Sequence, residues 1–372
     1  MYKPRIIPLI TVLLIVSIKL NGQTLADSIY LQNQRILKIL ESSSFSTQIF
    51  LGYRYYEEGN NNFNEFTVKR GYINFKKSLN KHLTGRITPD ITVDREGDGE
   101  GDLEMRLKYC YMELKDEGDY WVFTNPKILV GEVFTPWIEF EERINVYRVT
   151  GSHFMDYEAI VSSADFGFVV TSLLGGKVDD TYQKNVSNAY PGKYGSVAVG
   201  IYNGGGYHAM EKNNNKTTQW RVTLRPIPDL IPGFQLSYTG AYGKGNTARY
   251  PSWRLNAGIA SFEASNITTT AQYFNSLGNF EGSLADSLGN SHDSNGYSFF
   301  AEAKLLKKKF SVFGRYDHMT VDEKNRNVNS NQKIIGVAYH IYERNKVVFD
   351  YNHNTVDGKS VGIIEVMLEL AL

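Results

Sequence analysis

VGIIEVMLELAL, residues 361–372, decides the fold. Ile364, Val366, Leu368, Leu370 and Leu372 fall on one side of an extended chain, and Glu365 and Glu369 fall on the other. Strand side chains alternate between two faces, so this segment offers hydrocarbon to one side and carboxylate to the other. A chain that stops at the end of such a strand is the arrangement expected where the last strand closes a cylinder.

The same alternation recurs in pairs of segments. Trp253, Leu255, Ala257 and Ile259 alternate with Arg254, Asn256 and Gly258, and Ile267, Ala271 and Tyr273 follow after a short turn. Phe299, Ala301 and Leu305 precede Lys307 and Lys308, with Phe310 and Val312 beyond them. Val347, Phe349 and Tyr351 alternate with Lys346, Asp350 and Asn352. Segments of about 10 to 12 residues are long enough to cross a bilayer at a tilt. Strands are expected at 44–57, 63–78, 82–94, 103–115, 126–134, 165–173, 194–203, 216–226, 233–244, 252–262, 266–276, 297–306, 309–319, 332–342, 346–356 and 361–372. The fold expected is all-β: a transmembrane antiparallel barrel of about sixteen strands.

Link lengths sort by parity, as they do in barrels with short periplasmic turns and long outward loops. Tight turns are read at 79–81, 227–232, 263–265, 307–308 and 343–345, and long loops at 135–164, 204–215, 277–296 and 320–331. One link breaks the pattern: 174–193 should be a periplasmic turn but has the length of a loop, which leaves room for a missed strand.

The front of the chain is different. Lys3 and Arg5 precede an apolar run from Ile6 to Ile18, and Asn21, Gly22 and Gln23 follow. This is the layout of a secretory signal peptide at 1–22, and the run is short for a spanning helix. Residues 23–43 read as a short periplasmic segment, with Leu25, Ile29, Ile36, Ile39 and Leu40 at helical spacing. The barrel is expected over 44–372.

Composition narrows the functional classes. The 372 residues hold 40 Lys and Arg against 40 Asp and Glu, which argues against a nucleic-acid partner. Tyrosine occurs 25 times, fitting a membrane interface where the ring is apolar and the hydroxyl stays wet. The single cysteine, Cys110, cannot form an internal disulfide. The histidines lack HExxH spacing, and neither a GxSxG elbow nor a Walker loop is present, so no enzyme is expected.

Several ordered stretches resemble the phosphate-selective porin O and P family: FTVKRGYINFKK at 66–77, GEVFTPW at 131–137, VGIYNGGGY at 199–207 and RPIPDL at 225–230. The resemblance covers roughly 45–372 and implies a trimeric, sixteen-stranded pore in a bacterial outer membrane, passing small hydrophilic solutes, anions such as phosphate among them. The chain departs from the family at Glu132 and Thr135, where an amide and a basic residue are expected, and at its non-aromatic last residue, Leu372.

A pore selects by its width and by the charges lining it. Candidate lining residues are Arg70, Arg86, Arg106, Lys108, Glu132, Arg221, Arg225, Arg254 and Arg315. They suit either an anion track, since arginine forks match phosphate oxygens, or a mixed, salt-bridged lumen. The third outward loop, a candidate constriction, carries Glu139, Glu141, Glu142, Asp156 and Glu158 against Arg143 and Arg148, an acidic set. The stretch DREGDGEGD places Asp94, Glu96, Asp98, Glu100 and Asp102 between glycines. It starts like a calcium loop but has Met105 where the bidentate glutamate belongs, so it is read as either a calcium site or a solvated loop tip. The rival functions are a narrow or non-conducting barrel that binds partners through its outer loops, and a soluble secreted β-sandwich or lipase-type enzyme.

Overall fold

The computed structural model describes residues 27–59, 61–94, 99–323 and 326–372. The leader expected at 1–22 lies outside them. The chain divides into two compact units, 1–44 and 45–372. The first holds one helix, α1, over 27–41.

The strands are β1 (Ser43–Glu58), β2 (Asn61–Ser78), β3 (Leu83–Val93), β4 (Leu103–Lys115), the two-residue β5 (Asp119–Tyr120), β6 (Phe123–Phe134), β7 (Ala164–Leu174), β8 (Gly195–Tyr202) and β9 (Thr217–Leu224). They continue as β10 (Phe234–Lys244), β11 (Ser252–Glu263), β12 (Ile267–Leu277), β13 (Asp293–Leu305), β14 (Phe310–Asp322), β15 (Asn327–Tyr342), β16 (Asn345–Val356) and β17 (Lys359–Ala371). Three short helices, α2 (Ile138–Ile144), α3 (Phe154–Tyr157) and α4 (Asp180–Asn185), lie in the links.

Each strand pairs antiparallel with its sequence neighbour, and β4 pairs directly with β6 past the small β5. Leaving β5 aside, the seventeen described strands reduce to sixteen, and β1 closes the ring on β17 from Gln48↔Ala371 to Glu57↔Gly362. Closure removes every exposed edge, which is what a sheet in lipid requires. All sixteen strands expected from the sequence are present.

Two link expectations change. The described part of 320–331 is mostly strand, because β14 and β15 stay paired out to Asp322↔Asn327. The long link between β7 and β8 hides no missed strand. It folds on itself through α4 and an isolated bridge, Lys177↔Gly192. The last hairpin on the loop side turns in two residues, Asp357 and Gly358, with φ of 50° and 80°; paired positive φ angles suit the strand twist.

The outer surface is hydrocarbon over much of its extent. Met105, Val130, Phe168, Val222, Phe299, Ile335 and Phe349 are among many large exposed apolar side chains. Water would not tolerate so large an apolar surface, whereas lipid solvates it.

On β4 the alternation slips. Pro89 has no N–H to give the ladder, and the register shifts there so that Thr88 faces Tyr109 while Pro89 faces Leu107. Lys108 and Tyr109 are consequently both buried, 3% and 5% exposed, although they are consecutive. Arg106 precedes the slip and stands opposite Asp90.

Candidate functional site

The third outward loop, 135–163, lies against the inner wall. Trp137, Ile138, Phe140, Ile144, Phe154, Met155 and Ile160 are all buried in one cluster with Trp253, Leu255, Ala257 and Ile259 of β11 and Phe274 of β12. Phe154 packs on Phe274 with ring centroids 5.4 Å apart. Farther along the loop, Tyr147 stacks on Phe313 of β14 at 3.9 Å and donates its hydroxyl to Glu302 at 2.8 Å. Lys346 Nζ donates to the carbonyl of Val146 at 2.9 Å. Each buried large apolar side chain is worth about 1.5–3 kcal/mol, so the apolar seam is a principal anchor of the loop.

The acidic residues of the loop are taken up by partners. Glu141 is buried and accepts from Trp137 Nε1 at 2.9 Å and Gln272 Nε2 at 2.8 Å. Burial pushes its pKa up to about 7, only partly offset by those bonds. Glu142 lies 3.5 Å from Lys108 and 3.3 Å from Arg148. Burial would raise its carboxyl, but Lys108 and then Arg148 hold it down at about 2. Arg148 also pairs with Asp156 at 3.3 Å, and Arg143 with Glu139 at 3.0 Å. His153 is buried with neither ring nitrogen bonded among the described residues, and burial, aided by Arg148, drops it to about 3.

The wall of β1–β4 is left to water. Arg54 stands opposite Glu365 and bonds it; Lys69 Nζ reaches the same carboxylate at 2.8 Å and the Thr150 carbonyl at 2.7 Å. Arg70 pairs with Asp90 at 2.9 Å, with Arg106 at 3.7 Å from the same oxygen. Tyr207 donates to Asp90 at 2.9 Å. It arrives from the loop 203–216, whose bend at Gly204 (φ 115°) gives an N–H to Asp165 at 2.7 Å. Asp90 and Glu365 are fully buried, while the side chains of Arg54, Lys69, Arg70 and Arg106 are 14, 17, 26 and 25% exposed. Anions are the inner layer here and cations the outer one. A cavity of about 700 Å³ opens over them, lined by these four cations and His208 against Asp94 and Glu104.

The sequence-read lining set therefore divides. Arg70 and Arg106 face the cavity, and Arg86 lies nearer the turn end, 4.4 Å over the Tyr109 ring and bonded to Asn74 and Thr88. Lys108 is on the lumen side but covered by Glu142. Arg315 is closed off by Asp317 at 2.9 Å and by the carbonyl of Ser152 at 2.9 Å.

Four residues are not lining residues. Arg221 is fully buried between the rings of Phe140 and Tyr190, 4.2 and 4.7 Å away, and donates to the carbonyl of Pro136 at 3.0 Å. Arg225 is 2% exposed and donates to the carbonyls of Gly192, Pro232 and Tyr190. Both anchor backbone, because a buried guanidinium must spend its donors on fixed acceptors. Arg254 is on the outer face, exposed and 5.7 Å over the Tyr242 ring, since β11 turns its apolar side inward to hold the loop. Glu132 is 1% exposed and in register with Cys110 and Phe166, which are exposed outside. Its carboxylate has no bonding partner among the described residues.

No group of three potential metal ligands forms among the described residues, so Asp94, Glu100 and Asp102 are not gathered into a site; Glu96 and Asp98 lie outside those residues. Sequence reasoning missed Arg54, Lys69, Tyr207 and His208. The first two were legible as cations beside the alternating faces of β1 and β2; the other two depend on a loop folding back.

No family model matches the chain, and no curated protein matches it. Solved structures do. An anion-selective porin from Comamonas acidovorans is 10% identical with a TM-score of 0.61, and the match covers 89% of this chain and 99% of that one. The outer membrane channel DcaP of Acinetobacter baumannii is 11% identical, TM-score 0.58, over 88% of this chain and 97% of that one. The trimer form of OmpT, an outer membrane protein of Vibrio cholerae, is 10% identical, TM-score 0.56, over 88% and 100%. At such identities the likeness establishes the fold: this chain has the closed barrel of outer-membrane porins.

Proposed function

We propose that the chain is an outer-membrane porin of a bacterium, through which small hydrophilic solutes diffuse and small anions pass preferentially. The observation that carries the reading is the layering on the β1–β4 wall. Arg54, Lys69, Arg70 and Arg106 reach water while Glu365 and Asp90 are buried behind them. A permeant meets these four cations together with Asp94 and Glu104 on the same cavity wall, and guanidinium forks suit carboxylate and phosphate oxygens. The anion-selective porin among the structural neighbours favours the same reading, and the trimeric one favours a homotrimer in outer-membrane lipid. Neither supports phosphate over other small anions.

The test is the reversal potential of the purified protein in a planar bilayer across a salt gradient. Anion preference is expected, and cation preference would overturn it. A second reading, a narrow barrel that acts through its outer loops, draws on the loop packed across β10–β17. Absence of conductance in the same bilayer would select that reading instead.

A further inference from the structure

Helix α1 carries an apolar face that its own unit leaves bare. With 100° between successive residues, Ile29, Ile36 and Leu40 fall within about 40° of one another, and Leu37 and Tyr30 extend the arc. Ile29, Ile36 and Leu40 are 50, 54 and 64% exposed. The charges, Asp27, Arg35, Lys38 and Glu41, gather on the other side. A helix of about fifteen residues is marginal in water without tertiary packing, so such a face calls for a cover.

Charge and polarity decide between a lipid surface and another protein. Helices that lie on membranes are rich in Lys and Arg on the polar face. This one has two basic and two acidic residues, so it has no net attraction to an anionic surface. Gln32 and Asn33 sit inside the apolar arc. Acyl chains would leave their amides without partners, whereas the same amides from adjacent parallel copies bond one another and fix register. The spacing agrees: Ile29 to Ile36 and Asn33 to Leu40 are both seven-residue steps.

We propose that α1 is a self-association face. Copies of the chain bring their α1 helices together in a parallel, in-register bundle, with Ile29, Ile36 and Leu40 in the seam and Asn33 as a polar layer. The inference rests on the reading of several copies standing side by side in one membrane, which orients their helices alike.

The test uses the full-length chain in outer-membrane vesicles, with Cys110→Ser to remove the native thiol. Ile36→Cys places a thiol in the seam, and Lys38→Cys places one on the charged side. On oxidation, Ile36→Cys is expected to give covalent dimers in roughly tenfold excess over Lys38→Cys, as the seam geometry requires. Equal yields, or no dimer from Ile36→Cys, would overturn the proposal. Conductance measured on the same vesicles scores the pore separately, so either reading can fail while the other stands.

Discussion

Two stretches of the inner wall solve opposite problems. Along β11 the side chains facing in are apolar: Trp253, Leu255, Ala257 and Ile259 are all less than 5% exposed beneath the third loop. On β1–β4 they are charged, and Arg70, Arg106 and Lys69 keep part of their surface in water. One wall is a docking surface and the other is a channel lining. The first teaches that inside a barrel an apolar stripe can hold a loop as a soluble core holds a helix. The second teaches that neutral bookkeeping of charge hides a local field, with Asp90 and Glu365 buried beneath four cations and Glu104 beside them.

The sharpest way to break the contrast is to empty the docking wall. Trp253→Ala removes the largest fully buried side chain of the seam, at a cost of about 3–5 kcal/mol. The loop is expected to loosen, with a larger single-channel conductance and faster proteolysis between 135 and 163; unchanged conductance would mean that the charged contacts hold the loop alone. Next in size is reversal of the channel wall. Arg70→Glu with Arg106→Glu leaves Asp90 among like charges and is expected to turn the reversal potential toward cations, measured on the protein that runs as folded barrel on a heat-modifiability gel.

A smaller effect follows from Glu141, whose folded pKa is raised to about 7 by burial. The folded state then holds a proton that the unfolded chain, with a carboxyl near about 4.5, releases. Stability at this site is fully present below the unfolded value and falls as pH rises toward 7. The difference in unfolding temperature between pH 5 and pH 8 is therefore expected to favour pH 5 more in wild type than in Glu141→Gln, the opposing contribution of buried His153 being common to both. If the variant keeps the full difference, Glu141 is not its source. The smallest effect belongs to Arg254→Ala. On the outer face it should leave ion selectivity unchanged, and a measurable shift would place that side chain in the ion path.

Much of the barrel was legible in the sequence. Period-two alternation in 361–372 and in its counterparts gives the strands directly, since one face meets lipid and the other does not. The reading failed where that premise reversed. On β11 alternation alone places the apolar face toward lipid and Arg254 in the lumen, but the loop supplies hydrocarbon inside as well. On β4 strict alternation would have put Cys110 on the face of Arg106 and Lys108, and the slip at Pro89 turned Tyr109 and Tyr111 inward instead. Arg221 and Arg225 read as lining because burial depends on what covers a residue, here Phe140, Tyr190 and the link 175–194.

By itself the sequence determined an antiparallel barrel of about sixteen strands, because the period of a strand and the width of a bilayer are local constraints. Only the tertiary structure decided which arginines meet water. That choice rests on contacts between residues more than a hundred positions apart, such as Tyr207 with Asp90 and Lys69 with Glu365. Neither charge count nor alternation carries that information, since the lumen face of a strand reads the same whether or not a loop covers it.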